Sequence, residues 1–133
     1  MDGIINILKP SGMTSHDVVS FIRKNLNIKK VGHTGTLDPN AAGVLPICIG
    51  KGTKLSQYIM QKQKKYRCEM IFGKSTDTLD SYGKVTDVKE TESIEFEKIK
   101  SILDKFHGEI QQVPPAYSAI KIDGVRLYEK ARK

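Results

Sequence analysis

The sequence predicts an α+β fold: a mixed, largely antiparallel sheet with flanking helices. Three observations lead there. Short apolar runs such as Gly3–Leu8 and Val44–Ile49 have strand length. Two stretches carry apolar residues at helical spacing. Strand and helix signals mix without the regular alternation that a doubly wound parallel sheet requires.

Each element has a local reason. Gly3–Leu8 (GIINIL) reads as a buried strand stopped by Lys9-Pro10-Ser11-Gly12. Thr14 or Ser15 caps a helix reaching about Leu26, with Val18, Ile22 and Leu26 in one line. Val31–Gly43 has no period and reads as a loop. Val44–Ile49 reads as a strand, and residues 53–61 as a helix with Leu55, Tyr58 and Ile59 inward. Lys65–Phe72 alternates, with Tyr66, Cys68 and Met70 on one side, and reads as a half-exposed strand. Gly73–Gly83 reads as a polar loop and Lys84–Glu90 as a weak strand. Ser93 precedes a helix whose stripe is Phe96, Ile99, Leu103 and Phe106, ended by Gly108. Tyr117–Ile122 reads as a strand, Asp123-Gly124 as a turn, and Val125–Lys133 as the start of a basic helix.

The chain has 133 residues and a net charge of +7. Residues 1–76 hold twelve Lys/Arg against four Asp/Glu, and residues 77–109 hold five against nine. One cationic region beside an acidic stretch suits a polyanionic partner, most often nucleic acid. No apolar run approaches the roughly 20 residues of a membrane span. The N-terminus does not read as a signal peptide. Two cysteines with no C-x-x-C give neither a disulfide framework nor a zinc finger, so a reduced, cytoplasmic setting is expected. Gly43 and Gly50-Lys51 miss the spacing of a phosphate-binding loop. The histidines and cysteines carry no ligand spacing, so no metal is expected.

The stretch Gly32-His33-Thr34-Gly35-Thr36-Leu37-Asp38-Pro39 carries the chemistry. It combines two glycines, two hydroxyls, a histidine and one carboxylate before a proline. Pro39 restricts Asp38 to extended backbone and so limits where the carboxylate points. Such an acid suits nucleophilic or acid–base work. An ordinary Asp-Pro turn is the alternative on these residues alone.

Together with its continuation to Lys54, this stretch resembles the active-site signature of the TruB-type tRNA pseudouridine synthases. Four further stretches resemble the same family in order: GIINILKPSGMTS, Lys65-Tyr66, GKSTDTLDSYG at 73–83, and QVPPAYSAIKIDGVRLYEKAR at 112–132. The resemblance implies isomerisation of uridine 55 in the TΨC loop, with tRNA (the T-arm) as partner and no cofactor. It makes Asp38 and Tyr66 the catalytic residues, with Tyr66 the ring that stacks on the flipped uracil and a candidate for the proton-transfer step. It places His33, Gly35 and Thr36 against RNA, with His33 displacing the base. It has Lys9 meet a phosphate or a neighbouring carbonyl. Asp77 and Thr78 are expected to organise their own loop. Tyr117, Lys121, Arg126 and Arg132 fall where the family has a mobile RNA-closing insertion, residues 110–133.

The family's later motifs are not in this sequence. They include an arginine that pairs with the catalytic carboxylate and a PUA-type RNA-binding domain. Residues 1–133 are therefore expected to be the N-terminal portion of the catalytic domain, weakly active or inactive alone. Asp38 is expected to be solvent-exposed or raised in pKa. The incomplete sheet is expected to self-associate through an open edge. The competing expectation is a non-catalytic RNA-binding module using the basic face.

Overall fold

The structure, a computed structural model, describes residues 1–91, 94–115, 117–118 and 120–127, with residues 121, 122 and 126 described in their backbone only. The chain forms two compact units, residues 1–66 and 67–133. The fold is α+β, and every strand pairing among the described residues is antiparallel.

In the first unit, β1 (Gly3–Lys9) leads into α1 (Ser15–Leu26). Thr14 caps α1: its hydroxyl accepts from Asp17 N, and the Asp17 carboxylate accepts from Thr14 N. That bonding pulls the Asp17 pKa down. Asn27, in the left-handed region at φ 51°, ends the helix. The chain then forms β2 (Val31–His33), β3 (Gly43–Ile49), a 3-10 segment (Gly50–Leu55) and α2 (Ser56–Met60).

β3 lies between β1 and β2. The register sets Leu8 opposite Val44, and Val31 and Gly3 both opposite Ile49. Side chains alternate along a strand, so Leu45, Ile47 and Ile49 share one face. They meet Val18, Val19 and Ile22 of α1, with Val31, and this is the buried core. Ile4, Leu8 and Val44 belong to the other face and are exposed.

In the second unit, β4 (Lys74–Thr76) pairs with β5 (Val85–Val88), followed by α3 (Phe96–Leu103) and the hairpin β6 (Lys121–Ile122) and β7 (Val125–Arg126). Asp123 and Gly124 both have positive φ, 55° and 81°. That pair of values is what a tight two-residue hairpin turn demands, and Asp-Gly supplies it at low cost.

Four local expectations are corrected. Val31–His33 is a strand inside the stretch read as loop, because three residues find a partner in β3 that no periodicity announces. Lys65–Phe72 is not a strand: a pleated pattern needs a neighbouring ladder, and no described strand pairs with it. Lys74–Thr76, read as loop, is a strand. Leu55 and Tyr58 are exposed rather than inward, because α2 runs only five residues after a 3-10 segment and the helical periodicity breaks between them. Of the terminal stretch, Tyr117 lies in a turn outside β6, and residues 128–133 lie outside the described residues.

Burial predicts unequal sensitivity. Ile47 is 0% exposed, so Ile47→Ala should cost about 2–5 kcal/mol. Phe96 is 73% exposed, so Phe96→Ala should cost under about 1 kcal/mol. Urea unfolding of both variants measures the difference.

Candidate active site

The carboxylate of interest sits on the connection between β2 and β3. Thr34 starts this loop against the sheet: its N–H and its hydroxyl both donate to the Pro46 carbonyl, at 3.1 and 3.2 Å. Leu37 packs at the margin of the core. Asp38, Pro39, Asn40 and Ala41 form a turn, with Ala41 N donating to Asp38 O at 3.0 Å. Asp at the first position and Pro at the second suit that geometry.

The turn after β1 holds this loop. Lys9 is 0% exposed, and its ammonium donates to the carbonyls of Pro10 (2.9 Å), Met13 (2.6 Å) and Pro39 (3.1 Å). Three donors meet three acceptors, which is the full capacity of an ammonium. Gly12 N also donates to Pro39 O at 2.8 Å, and the Ser11 hydroxyl donates to Asn40 O at 3.0 Å. On the other side of Asp38, the buried Ser15 hydroxyl accepts from Leu37 N at 2.9 Å and donates to Leu37 O at 3.2 Å. Leu37, Pro39 and Asn40 are thus each tied to the turn between β1 and α1.

Asp38 itself is exposed, and among the described residues its carboxylate makes no hydrogen bond or ion pair. The backbone around it is restrained while its oxygens are free to meet a ligand. Gly35 is half-buried and Thr36 exposed in the same loop. His33 ends β2 just before it, half-buried, with its Nδ1 buried and without a hydrogen-bond partner among the described residues.

Of the two partners expected for Lys9, phosphate or carbonyl, the structure contains the carbonyl one: the side chain is buried and its three donors are taken. Tyr66 is 73% exposed, lies on no strand, and no described hydrogen bond joins it to Asp38. Lys121 and Arg126 occupy directly opposed positions of the β6–β7 hairpin. Arg132 lies outside the described residues. Ser15, Ser11 and Gly12 were not singled out from sequence. Their spacing to the loop, 22 to 29 residues, leaves no local signal.

In the second unit, residues 77–84 form the ordered loop joining β4 and β5. Asp80 Oδ1 accepts from the Thr78 hydroxyl at 2.7 Å and from Tyr82 N at 2.9 Å. Asp77 Oδ1 accepts from Lys84 N at 2.8 Å, and the Thr76 hydroxyl donates to Asp80 O. A side chain at Gly83 would collide with Thr78 and Asp77. Asp77 and Thr78 do organise this loop, and Asp80 is its additional centre. The Thr78 hydroxyl, then Tyr82 N, holds the Asp80 pKa below its ordinary value of 3.8.

Among the described residues no group of three or more His, Cys, Asp and Glu could hold a metal ion. No described helix is long and apolar enough to cross a membrane. Both cysteines are free: Cys48 is buried, which raises its thiol pKa, and Cys68 is exposed.

The sequence matches the TruB family pseudouridylate synthase (N terminal domain) over residues 23–133. The chain belongs to this family. Among its relatives, tRNA pseudouridine synthase B of Caldanaerobacter subterraneus is 59% identical over 133 residues, covering all of this chain and 47% of the relative. The protein of the same name from Alkaliphilus oremlandii is 59% identical and is covered to 44%. The chain thus spans about half the length of the curated relatives it matches. A chain in the crystal structure of a Cbf5-Nop10-Gar1 complex superimposes with a TM-score of 0.60 at 33% identity, over 90% of this chain and 31% of that one. That likeness supports the α+β architecture of the TruB family for this chain.

Two outcomes follow from these contacts. Lys9→Met removes the donor from the Pro10 and Met13 carbonyls and one of two donors from Pro39 O, and should destabilise the chain by about 2–4 kcal/mol, measured by urea unfolding. The lowered Asp80 pKa means that its contribution is present above 3.8 and is lost as pH falls through the lower folded value. The Tyr82 amide resonance should therefore titrate with a midpoint below 3.8, and Asp80→Asn should abolish that transition.

Proposed function

We propose that this chain carries the reacting carboxylate of a synthase that isomerises uridine 55 to pseudouridine in the TΨC loop of tRNA. The observation that carries the reading is Asp38. Its backbone neighbours are bonded on both sides, while its carboxylate stands exposed and unengaged. That arrangement suits a group whose partner is the substrate.

The uridine is stacked within the RNA loop and must first be everted, at a cost of a few kcal/mol. His33, at the entrance of the Asp38 loop, is placed by this reading against the displaced base. Asp38 then promotes cleavage of the N-glycosidic bond. The freed uracil turns in place and rejoins the ribose through C5, which gives up its hydrogen as a proton to water while N1 takes up a proton. Tyr66 is the ring this reading stacks on the base, and its exposure leaves its face available. Gly35 and Thr36 adjoin the same nucleotide. This reading also assigns Lys121 and Arg126, cationic residues of the β6–β7 hairpin, to contact with the polyanion.

A carboxylate in water, with no cation or donor beside it among the described residues, lacks the dry surroundings that strengthen transition-state electrostatics. The 133-residue chain by itself is therefore proposed to bind T-arm RNA and to turn over slowly.

Tritium release from 5-tritiated uridine RNA under single-turnover conditions tests this. Wild-type chain in excess should release tritium slowly. Asp38→Asn should reduce release at least a hundredfold with RNA affinity retained. Unchanged release in that variant would remove Asp38 from the chemistry. RNA binding with no release by either protein would favour a non-catalytic RNA-binding module.

A further inference from the structure

The best-defined contact around Asp38 belongs to a side chain that takes no part in the chemistry just described. Ser15 is the first residue of α1 and is 2% exposed. Its hydroxyl uses both of its capacities on one residue, accepting from Leu37 N and donating to Leu37 O. The Leu37 carbonyl belongs to the peptide that leads into Asp38. Holding that oxygen fixes the peptide plane, and the plane defines the reference for Asp38 φ.

Pro39 acts from the other side. Its ring excludes the helical region for the residue before it. Its own carbonyl is tied down by Lys9 and Gly12. Asp38 is therefore limited at φ by the held peptide and at ψ by the proline, leaving mainly side-chain torsions to aim its oxygens. We infer that Ser15 is a positioning residue for Asp38, setting the direction of the reacting carboxylate through the Leu37–Asp38 peptide. This rests on the reading of Asp38 as the reacting group.

Ser15 also sits in the first turn of a helix, so a loss in Ser15→Ala could arise from a weakened α1. Thr14→Ala separates the two effects. It removes the cap bond to Asp17 and leaves the Leu37 contacts in place. Ser15→Thr keeps the hydroxyl.

The full chain and these variants are compared by amide hydrogen exchange and by the three-bond HN–Hα coupling of Asp38, which reports φ directly. Release of tritium is measured in single turnover with the chain in excess. In Ser15→Ala the Leu37 amide should exchange faster and the Asp38 coupling should move toward a conformationally averaged value. The plateau rate should fall about tenfold to a hundredfold, the scale of a small misplacement of a reacting group, with the half-saturating concentration unchanged. Thr14→Ala should leave the coupling at its wild-type value, and Ser15→Thr should restore both readouts. An unaltered coupling in Ser15→Ala overturns the inference, and does so even if turnover lies below detection. An equal change in Thr14→Ala also overturns it, reducing Ser15 to a helix stabiliser. If Asp38→Asn releases tritium like wild type, the function proposed above fails instead, and the coupling then records a clamp without a catalytic purpose.

Discussion

The buried ammonium of Lys9 ties together three pieces of chain: the end of β1, the turn at Pro10–Met13 and the loop at Pro39. A charge taken out of water carries a desolvation penalty of several kcal/mol unless its donors are satisfied. Here carbonyl oxygens supply that satisfaction. The arrangement is therefore demanding in both directions: the ammonium needs all three oxygens, and the oxygens need the ammonium. Two segments 30 residues apart, Lys9 and Pro39, are consequently set in one geometry at the end of the sheet. The packing of α1 on β3 supplies the apolar support, since the Ser15 that grips Leu37 stands at the start of the same helix that buries Val18, Val19 and Ile22.

The parts of the fold legible in the sequence are those decided locally. β1 and β3 follow from short apolar runs, α1 from its stripe and cap, and α3 from its stripe alone, since Glu95 at its start makes no side-chain cap bond and it ends at Leu103, short of Gly108; the Asp123-Gly124 turn follows from two residues able to take positive φ. The Asp38 loop was legible as an irregular segment with a constrained acid. What was not legible depends on partners distant in sequence. Val31–His33 becomes a strand only because β3 is beside it. Residues 65–72 alternate as a strand would, but alternation states which faces differ and not what completes the ladder. Lys9 could be read as either phosphate-seeking or carbonyl-seeking, because its stem and charge suit both. Its burial depends on residues 13 and 39, and no window around position 9 contains the latter.

The two units differ in how their apolar residues are used. Every buried hydrophobic residue among those described lies between Val18 and Ile49. In the second unit the stripe of α3 forms as expected, yet Phe96, Leu103 and Phe106 are exposed. The order found there comes from polar bonding instead, chiefly the Asp77–Asp80 loop between β4 and β5. Such bonding fixes a loop's shape but contributes modestly to stability, about 1 kcal/mol per hydrogen bond. The first unit can hold the Asp38 loop in place because helix and sheet already bury a common core and the loop is bonded to both.

That division bears on how an exposed acid can serve a demanding reaction. A buried carboxylate gains electrostatic strength but must be kept ionised by a neighbouring cation or by donors. Asp38 takes the other course in this chain: it is exposed to water, and its order comes from backbone contacts made by its neighbours. In the proposed reading arriving RNA displaces water, whereas orientation cannot be created as readily at that moment, because ordering a flexible loop costs roughly 1–2 kcal/mol per residue. Fixing the peptide plane beforehand shifts that cost onto folding. In the proposed reading the substrate then has to supply only dryness, brought by an everted base and its ribose.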